Sequence, residues 1–193
     1  SRRAHFFFFF YAKASDTHDF YVKEVARATS AAPTYFEVSR VKSIYGTPYP
    51  LIDGGVFANN PAMCAYAEAR GIDFSKVLGD PEKFDKPHAH DMIIVSIGTG
   101  STSKPYQYNE AKDWGMIQWI QPIIDIMMSG NSETISYQLR KIWETTGTPE
   151  NYIRLEPALY EANNEMDDAS QGNLRALKEA GLKFVSDNEK LLE

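Results

Sequence analysis

The sequence contains one cysteine, Cys64, among its 193 residues, and no run of apolar residues approaches the length of a membrane-spanning helix. A single cysteine cannot form an internal disulfide, and it excludes a cysteine-rich zinc site. A spanning helix needs about 20 consecutive apolar residues. We therefore expect Cys64 to be a small buried hydrophobe, and we expect no disulfide and no transmembrane helix.

Positive charge is also scarce, since 20 basic residues face 26 acidic ones and leave a net charge of −6. Nucleic acids and anionic membranes are poor partners for such a chain. Apolar residues make up 43% of the sequence and charged residues 24%, which is an ordinary globular balance. The length suits one domain with a substantial core. Length and composition therefore indicate a globular protein, and its function has to be inferred from motifs.

Apolar stretches with strand and helix patterns alternate along the chain. We predict strands at His5–Tyr11, Phe36–Ile44, Tyr49–Ile52, Met92–Ile97 and Tyr152–Leu155. We predict helices from Asp19 to Thr29 with Thr17 or Asp19 as cap, from Asn60 to Arg70, and over 110–129, 132–145 and 170–192. This alternation predicts an α/β fold with a layered sheet flanked by helices. The aromatic run at 5–11 is typical of a strand buried on both faces.

The most specific local feature is Asp53, which follows a short apolar strand and precedes Gly54 and Gly55. In α/β proteins, ligands bind at the carboxyl ends of strands. Two glycines let the backbone turn sharply and let another group approach. An Asx-type turn, in which Asp53 bonds only its own backbone, explains the same residues. The local pattern leaves both interpretations open.

Six segments resemble the patatin-like lipid acyl hydrolases, and the plant patatins especially. In chain order, and together spanning most of the sequence, they are Ala28–Phe36, Leu51–Gly55, Val95–Gly100, Ala111–Gly115, Asn151–Arg154 and Met166–Ser170. The resemblance implies a serine–aspartate dyad acting on fatty-acyl esters of phospholipids or galactolipids. The family's aspartate maps onto Asp53, the base that would activate the serine. Gly54 and Gly55 would shape its turn, and no metal or organic cofactor is implied.

The sequence departs from that family in one large respect, because no Gly-x-Ser-x-Gly elbow occurs in it. The nearest look-alikes, at 98–101 and 129–132, lack the flanking glycines. We therefore interpret residues 1–193 as the carboxyl-terminal portion of a single patatin-like domain. It would be incomplete and inactive without an amino-terminal segment that supplies the serine and the oxyanion donors. Whether such a segment was removed or separated, or the chain is a natural truncation, stays open.

Two other classes of function compete with this interpretation. A non-catalytic storage or interaction module could keep the scaffold without the elbow. A hydrolase with a serine–aspartate–histidine triad needs a histidine after the last strand, yet none of the four histidines lies beyond residue 90. Cysteine content is compatible with the cytosol and with a vacuolar or secreted setting.

Three weaker patterns have ordinary structural explanations. His88 and His90 are too closely spaced for a typical zinc site, so we expect a solvated loop. Gly98–Gly100 lacks the third glycine of a dinucleotide site and is interpreted as a strand-end turn. A stripe of large side chains is interpreted as core, with an acyl groove or peripheral membrane contact as the alternative; its members are Trp114, Met116, Trp119, Met127 and Met128.

Overall fold

The computed structural model describes residues 3–83, 85–102 and 105–192. The chain divides into two compact units. The first unit comprises Ser1–Pro61 together with Asp125–Glu133, and the second comprises Ala62–Ile124 together with Thr134–Glu193. The long helix α7 (Met116–Thr146) passes through both sets of residues.

The first unit is built from short elements around a small core. They are α1 (Phe9–Ala14), α2 (Val22–Thr29), β1 (Ser39–Lys42), β2 (Pro48–Leu51) and α3 (Gly55–Ala58). The two strands pair antiparallel, with Ser39 opposite Leu51. Their connection turns at Gly46, whose φ of 97° is left-handed and therefore suits glycine. Phe20, Ala28 and Val41 form the buried cluster beneath this hairpin.

The prediction of a buried strand at residues 5–11 is wrong. The chain becomes helical at Phe9 instead, and Phe9, Phe10 and Tyr11 are exposed. An unbroken aromatic run has neither a strand period nor a helix period, so its pattern cannot select between them. A strand also needs a neighbour for its backbone, whereas a helical turn satisfies its own backbone groups. Phe7 still packs inward, with its ring edge-on to Phe20 at 5.0 Å.

The second unit contains most of the helices and the second pair of strands. Besides α7, its elements are α4 (Ala62–Gly71), α5 (Phe74–Leu78), a 3-10 turn at Ala89–Asp91, β3 (Ile94–Ile97), α6 (Tyr108–Ala111), a 3-10 turn at Pro149–Asn151, β4 (Tyr152–Leu155), α8 (Gln171–Asp187) and α9 (Glu189–Leu192). β3 and β4 pair parallel, with Ile94 opposite Tyr152. Mixed helices and strands with this parallel pair confirm the α/β class.

The core of the second unit forms around α7. Leu139 and Trp143 are fully buried on this helix, and they pack with Ile135, Ala62 and Tyr152. The Trp143 indole N–H donates to the Met92 carbonyl oxygen at 3.3 Å, so the largest buried ring keeps its polar atom satisfied. This packing places the start of β3 beside the carboxyl-terminal half of α7.

The predicted helices 110–129 and 132–145 are one helix from Met116 onward, preceded by the short α6. Gly130 lies inside α7, because a single interior glycine costs only about 1 kcal/mol and does not by itself end a helix. The helix ends at Gly147, which adopts a left-handed φ of 78°. No helix among the described residues combines the length and apolar character needed to cross a membrane.

Smaller elements largely follow their local patterns. Helix α2 occupies the predicted region, but Tyr21 precedes its first residue and neither Thr17 nor Asp19 caps it. Helix α8 begins after Ser170, whose hydroxyl accepts a hydrogen bond from the Asn173 N–H. Helix α5 was not predicted, and Cys64 is a free, half-buried thiol.

The His5 ring should titrate below its ordinary range. Its pKa is lowered, first because burial disfavours the charged imidazolium and second because His18 lies nearby. Neutral His5 therefore stabilises the fold above the ordinary value of 6.5, and that stability is lost as the pH falls from there through the lowered pKa. A proton NMR titration of the protein should show this pKa directly. His18→Gln should move it towards the ordinary value; an unchanged pKa in that variant would contradict the assigned role of His18.

Candidate active site

Asp53 lies two residues beyond the end of β2, where a backbone hydrogen bond fixes its position. The Asp53 N–H donates to the Ala31 carbonyl oxygen at 3.0 Å. Ala31 is completely buried, just past the carboxyl end of α2, in the run of small residues that begins the Ala28–Phe36 segment. Small side chains here let the two backbone segments approach. The bond joins the end of β2 to the loop after α2.

The carboxylate of Asp53 is oriented by the turn that follows it. Oδ1 accepts the Gly55 N–H at 2.6 Å, which is an Asx-type contact at the entry to α3. The Asx-type turn that the sequence allowed for Asp53 is therefore present in the structure. This hydrogen bond uses only Oδ1, and Oδ2 has no hydrogen-bond partner within the described parts of the chain. The Asx contact thus holds a half-buried carboxylate in place with one oxygen available.

Gly54 and Gly55 have different surroundings. A Cβ on Gly54 would have only the Thr29 hydroxyl within 4.0 Å, and the backbone there has an ordinary helical φ of −67°. A Cβ on Gly55 would lie 3.0 Å from the Asp53 Oδ1 and 3.6 Å from the Met128 methyl carbon. Gly55 is therefore the position at which side-chain size bears on the carboxylate.

Two asparagines behind this turn were not predicted to support it. The Asn59 amide donates to the Met128 carbonyl oxygen at 3.3 Å, and the Asn60 amide donates to that of Ser132 at 3.4 Å. Both acceptors belong to the part of α7 that lies in the first unit. Asn60 is buried, and the sequence indicated it only as the start of a predicted helix. Its partner is 72 residues away, so no local pattern could have shown this contact.

Neither serine-containing look-alike forms a nucleophile elbow. An elbow places its serine on a sharp turn between a strand and a helix. Ser129 and Ser132 lie inside α7 instead. Ser101 forms a bridge with Ala158 beyond β3 and β4. Within the described residues, no serine hydroxyl forms a hydrogen bond to Asp53. Among the residues that the structure describes, the site therefore contains a positioned carboxylate and no serine bonded to it.

The glycine loop after β3 holds a carboxylate of the protein itself. The Gly100 N–H donates to Glu156 Oε1 at 2.9 Å, and Glu156 also pairs with Arg154. The Arg154 guanidinium donates in turn to the Ser96 hydroxyl at 2.9 Å. A Cβ on Gly98 would clash with the Glu156 carboxylate, so the loop closes directly on this side chain. The loop is thus a structural strand-end turn.

The paired histidines form a local cluster on the loop before β3. Their rings stack with centroids 5.7 Å apart, and the His90 Nε2 lies 3.1 Å from Asp91 Oδ1. The His88 N–H donates to the other oxygen of Asp91 at 2.8 Å. The described residues contain no group of three or more histidine, cysteine, aspartate or glutamate side chains that could hold a metal ion.

Comparison with known proteins connects these features to one family. A patatin-like phospholipase family model matches residues 1–66, which include Asp53 and its turn. Patatin-like protein 1 of Arabidopsis thaliana is 30% identical over 182 residues, covering 87% of this chain and 43% of the relative. Patatin-08 of Solanum tuberosum is 30% identical over 180 residues, covering 82% and 43% respectively. The chain thus spans less than half the length of these relatives.

Enlarging Gly55 should disturb the Asp53 turn more than enlarging Gly54. We expect Gly55→Val to lower the free energy of unfolding by about 1–3 kcal/mol more than Gly54→Val, because the added side chain would crowd Asp53, Asn59 and Met128. Chemical denaturation of both variants measures the difference. Equal losses would show that the two positions have similar space.

The contact of Glu156 with the glycine loop should appear as coupling between two substitutions. Gly98→Ala should force the Glu156 carboxylate away from Gly100 and Arg154, destabilising the protein by about 1–3 kcal/mol. In a Glu156→Ala background the same change should cost less, because the obstructing carboxylate is gone. A double-mutant cycle by denaturation tests this. Strictly additive losses would mean that the loop does not depend on Glu156.

Proposed function

Because the chain belongs to the patatin-like family, we propose that the complete protein is a lipid acyl hydrolase that cleaves fatty-acyl esters of phospholipids or galactolipids. Its catalytic pair is a serine and an aspartate. This chain is the carboxyl-terminal portion of a single patatin-like domain and supplies the aspartate, Asp53. The amino-terminal segment of that domain supplies the serine and the oxyanion donors.

One observation carries the assignment of Asp53. Its carboxylate is fixed at the end of β2 by the Gly55 N–H at 2.6 Å, while Oδ2 has no partner in the described regions. A general base must be rigidly placed and must have a free acceptor within hydrogen-bond reach of the proton that it removes. An acid with a purely structural role would need only the first of these properties.

The exposed apolar surface of β3 supports the proposal that the sheet belongs to a larger domain. The strand is apolar on both faces in sequence, yet Val95 and Ile97 are 53% and 75% exposed. Among the described residues its sheet has only two strands, so β3 and β4 each have an edge without a strand neighbour. A strand of this composition normally lies inside a covered sheet.

The reaction proceeds in two stages. Asp53 accepts the proton of the serine hydroxyl as the serine oxygen attacks the ester carbonyl. The tetrahedral intermediate collapses, the bond to the lipid alcohol breaks, and Asp53 returns its proton to that alcohol. Water then attacks the acyl-serine ester, again giving a proton to Asp53, which passes it to the serine oxygen as the fatty acid leaves. Backbone donors stabilise both oxyanions, so the cycle requires only these groups.

A non-catalytic storage or interaction module is the second candidate. It is favoured by the absence of any Gly-x-Ser-x-Gly sequence in these 193 residues. Fluorophosphonate labelling of the complete protein, followed by peptide mapping, separates the two candidates. The hydrolase proposal requires a labelled serine upstream of Ser1 or on a separate polypeptide. Labelling of a serine within residues 1–193 would contradict the division of the catalytic pair, and the absence of label would favour the module.

Asp53→Asn should abolish catalysis in the complete protein without disturbing the turn. Asparagine keeps an oxygen for the Gly55 N–H but cannot accept the serine proton, so we expect kcat/KM for ester hydrolysis to fall about 10²- to 10⁴-fold.

Asp80→Asn is the matched control. Asp80 Oδ1 makes the same kind of turn contact, accepting the Glu82 N–H at 3.0 Å, but it has no role in the proposed chemistry. Circular dichroism should show that both variants are folded. Unchanged turnover in Asp53→Asn would refute the assignment of the base.

A further inference from the structure

The first part of α7 carries an exposed apolar face, which we call the Ile117 face. It consists of five side chains: Met116, Ile117, Ile120, Ile123 and Ile124. At 100° per residue they fall within an arc of about 120° on the helix. Their exposure ranges from 88% at Met116 to 39% at Ile124. Met116 also belongs to the stripe of large side chains that the sequence analysis interpreted as core. That interpretation is wrong for Met116 and for Met127, because both side chains are exposed.

The same helix segment has a second side that packs against the protein. Pro122 is buried there. The half-buried Trp119 ring meets Trp114 edge-on, with centroids 5.1 Å apart, and Trp114 in turn contacts Tyr106 at 5.4 Å. The helix is thus seated through its Pro122 and Trp119 side. This leaves the Ile117 face fully or partly exposed to solvent along its length.

Charge indicates what can cover the face. Residues 114–124 contain no Asp, Glu, Lys, Arg or His, in a chain where 24% of residues are charged. The net charge of −6 on these 193 residues disfavours an anionic lipid surface, whereas an uncharged segment meets no such barrier at a zwitterionic one.

Backbone hydrogen bonding distinguishes the Ile117 face from the exposed strand β3. A strand edge needs partners for its N–H and C=O groups, which hydrocarbon cannot provide. The interior of a helix satisfies its own backbone, so its apolar side chains can enter lipid without loss of hydrogen bonds. The Ile117 face is therefore suited to a lipid environment in a way that β3 is not.

We propose that the Ile117 face inserts shallowly into the surface of a zwitterionic lipid layer and holds the protein there. This inference rests on the proposed function, because it identifies the surface from which the hydrolase takes its ester substrate. α7 lies along the interface and does not cross it, because no described helix has the length and apolar character to span a membrane.

Binding of the complete protein to vesicles of phosphatidylcholine tests the proposal. We expect Ile117→Gln combined with Ile120→Gln to weaken binding by at least about tenfold, since two exposed isoleucines no longer leave water. Leu182→Gln is the matched control, because Leu182 is a similarly exposed apolar residue on α8, at 61%, and should bind as the wild type does. Equal binding by the double variant and the wild type would overturn the proposal.

A labelling experiment tests whether polypeptide covers the face instead. Ile117→Cys in the complete protein should react with a water-soluble maleimide, and phosphatidylcholine vesicles should protect it. Lack of reaction without vesicles would show that another part of the protein covers the face, and would overturn the proposal. Binding that requires anionic lipid would also overturn it.

Hydrolysis of a water-soluble short-chain ester is measured separately on the wild type. Failure of that reaction, together with vesicle binding through the Ile117 face, would refute the proposed function and leave the lipid-binding inference standing. Normal hydrolysis with no vesicle binding would refute the inference alone.

Discussion

The hydrogen bond between the Asp53 N–H and the Ala31 carbonyl oxygen is the constraint on which the candidate site depends. It fixes where β2 ends, and the Gly55 N–H then fixes how the carboxylate points. The approach requires small side chains near the end of α2, where Ala28 and Ala31 are almost completely buried. The small-residue segment and the Asp53 turn are about 20 residues apart in sequence, and this hydrogen bond joins them into one structural unit.

Sequence reasoning succeeded where the determining interactions are local. β2, β4 and the start of α8 depend on short apolar runs, on turns and on the Ser170 cap, all visible within a few residues. The Asp53 turn belongs to the same class, since an Asx contact spans only two residues. Its two interpretations could not be separated from the sequence, because both require the same residues. The structure shows the Asx contact on Oδ1, and the catalytic role of Asp53 stays a proposal.

The unpredicted features depend on contacts between distant residues or on ambiguous patterns. The amide of Asn60 reaches Ser132, and the Glu156 carboxylate occupies the loop at Gly98–Gly100 from 56 residues away. The Gly100 N–H, a group of the kind that binds anions, thus binds a carboxylate of the protein itself. For the aromatic run at 5–11, hydrophobicity without periodicity left the choice of secondary structure to tertiary context.

The structure separates two kinds of apolar surface that look alike in the sequence. β3 and the first part of α7 are both rich in isoleucine, and both expose it. An exposed strand in a two-stranded sheet has backbone groups along one edge as well as apolar side chains, so only polypeptide can satisfy both. This supports the proposal that β3 belongs to a larger sheet. An exposed helix face presents side chains alone, because the helix satisfies its own backbone groups. A lipid surface suits such a face, so the strand and the helix face predict two different partners for one chain.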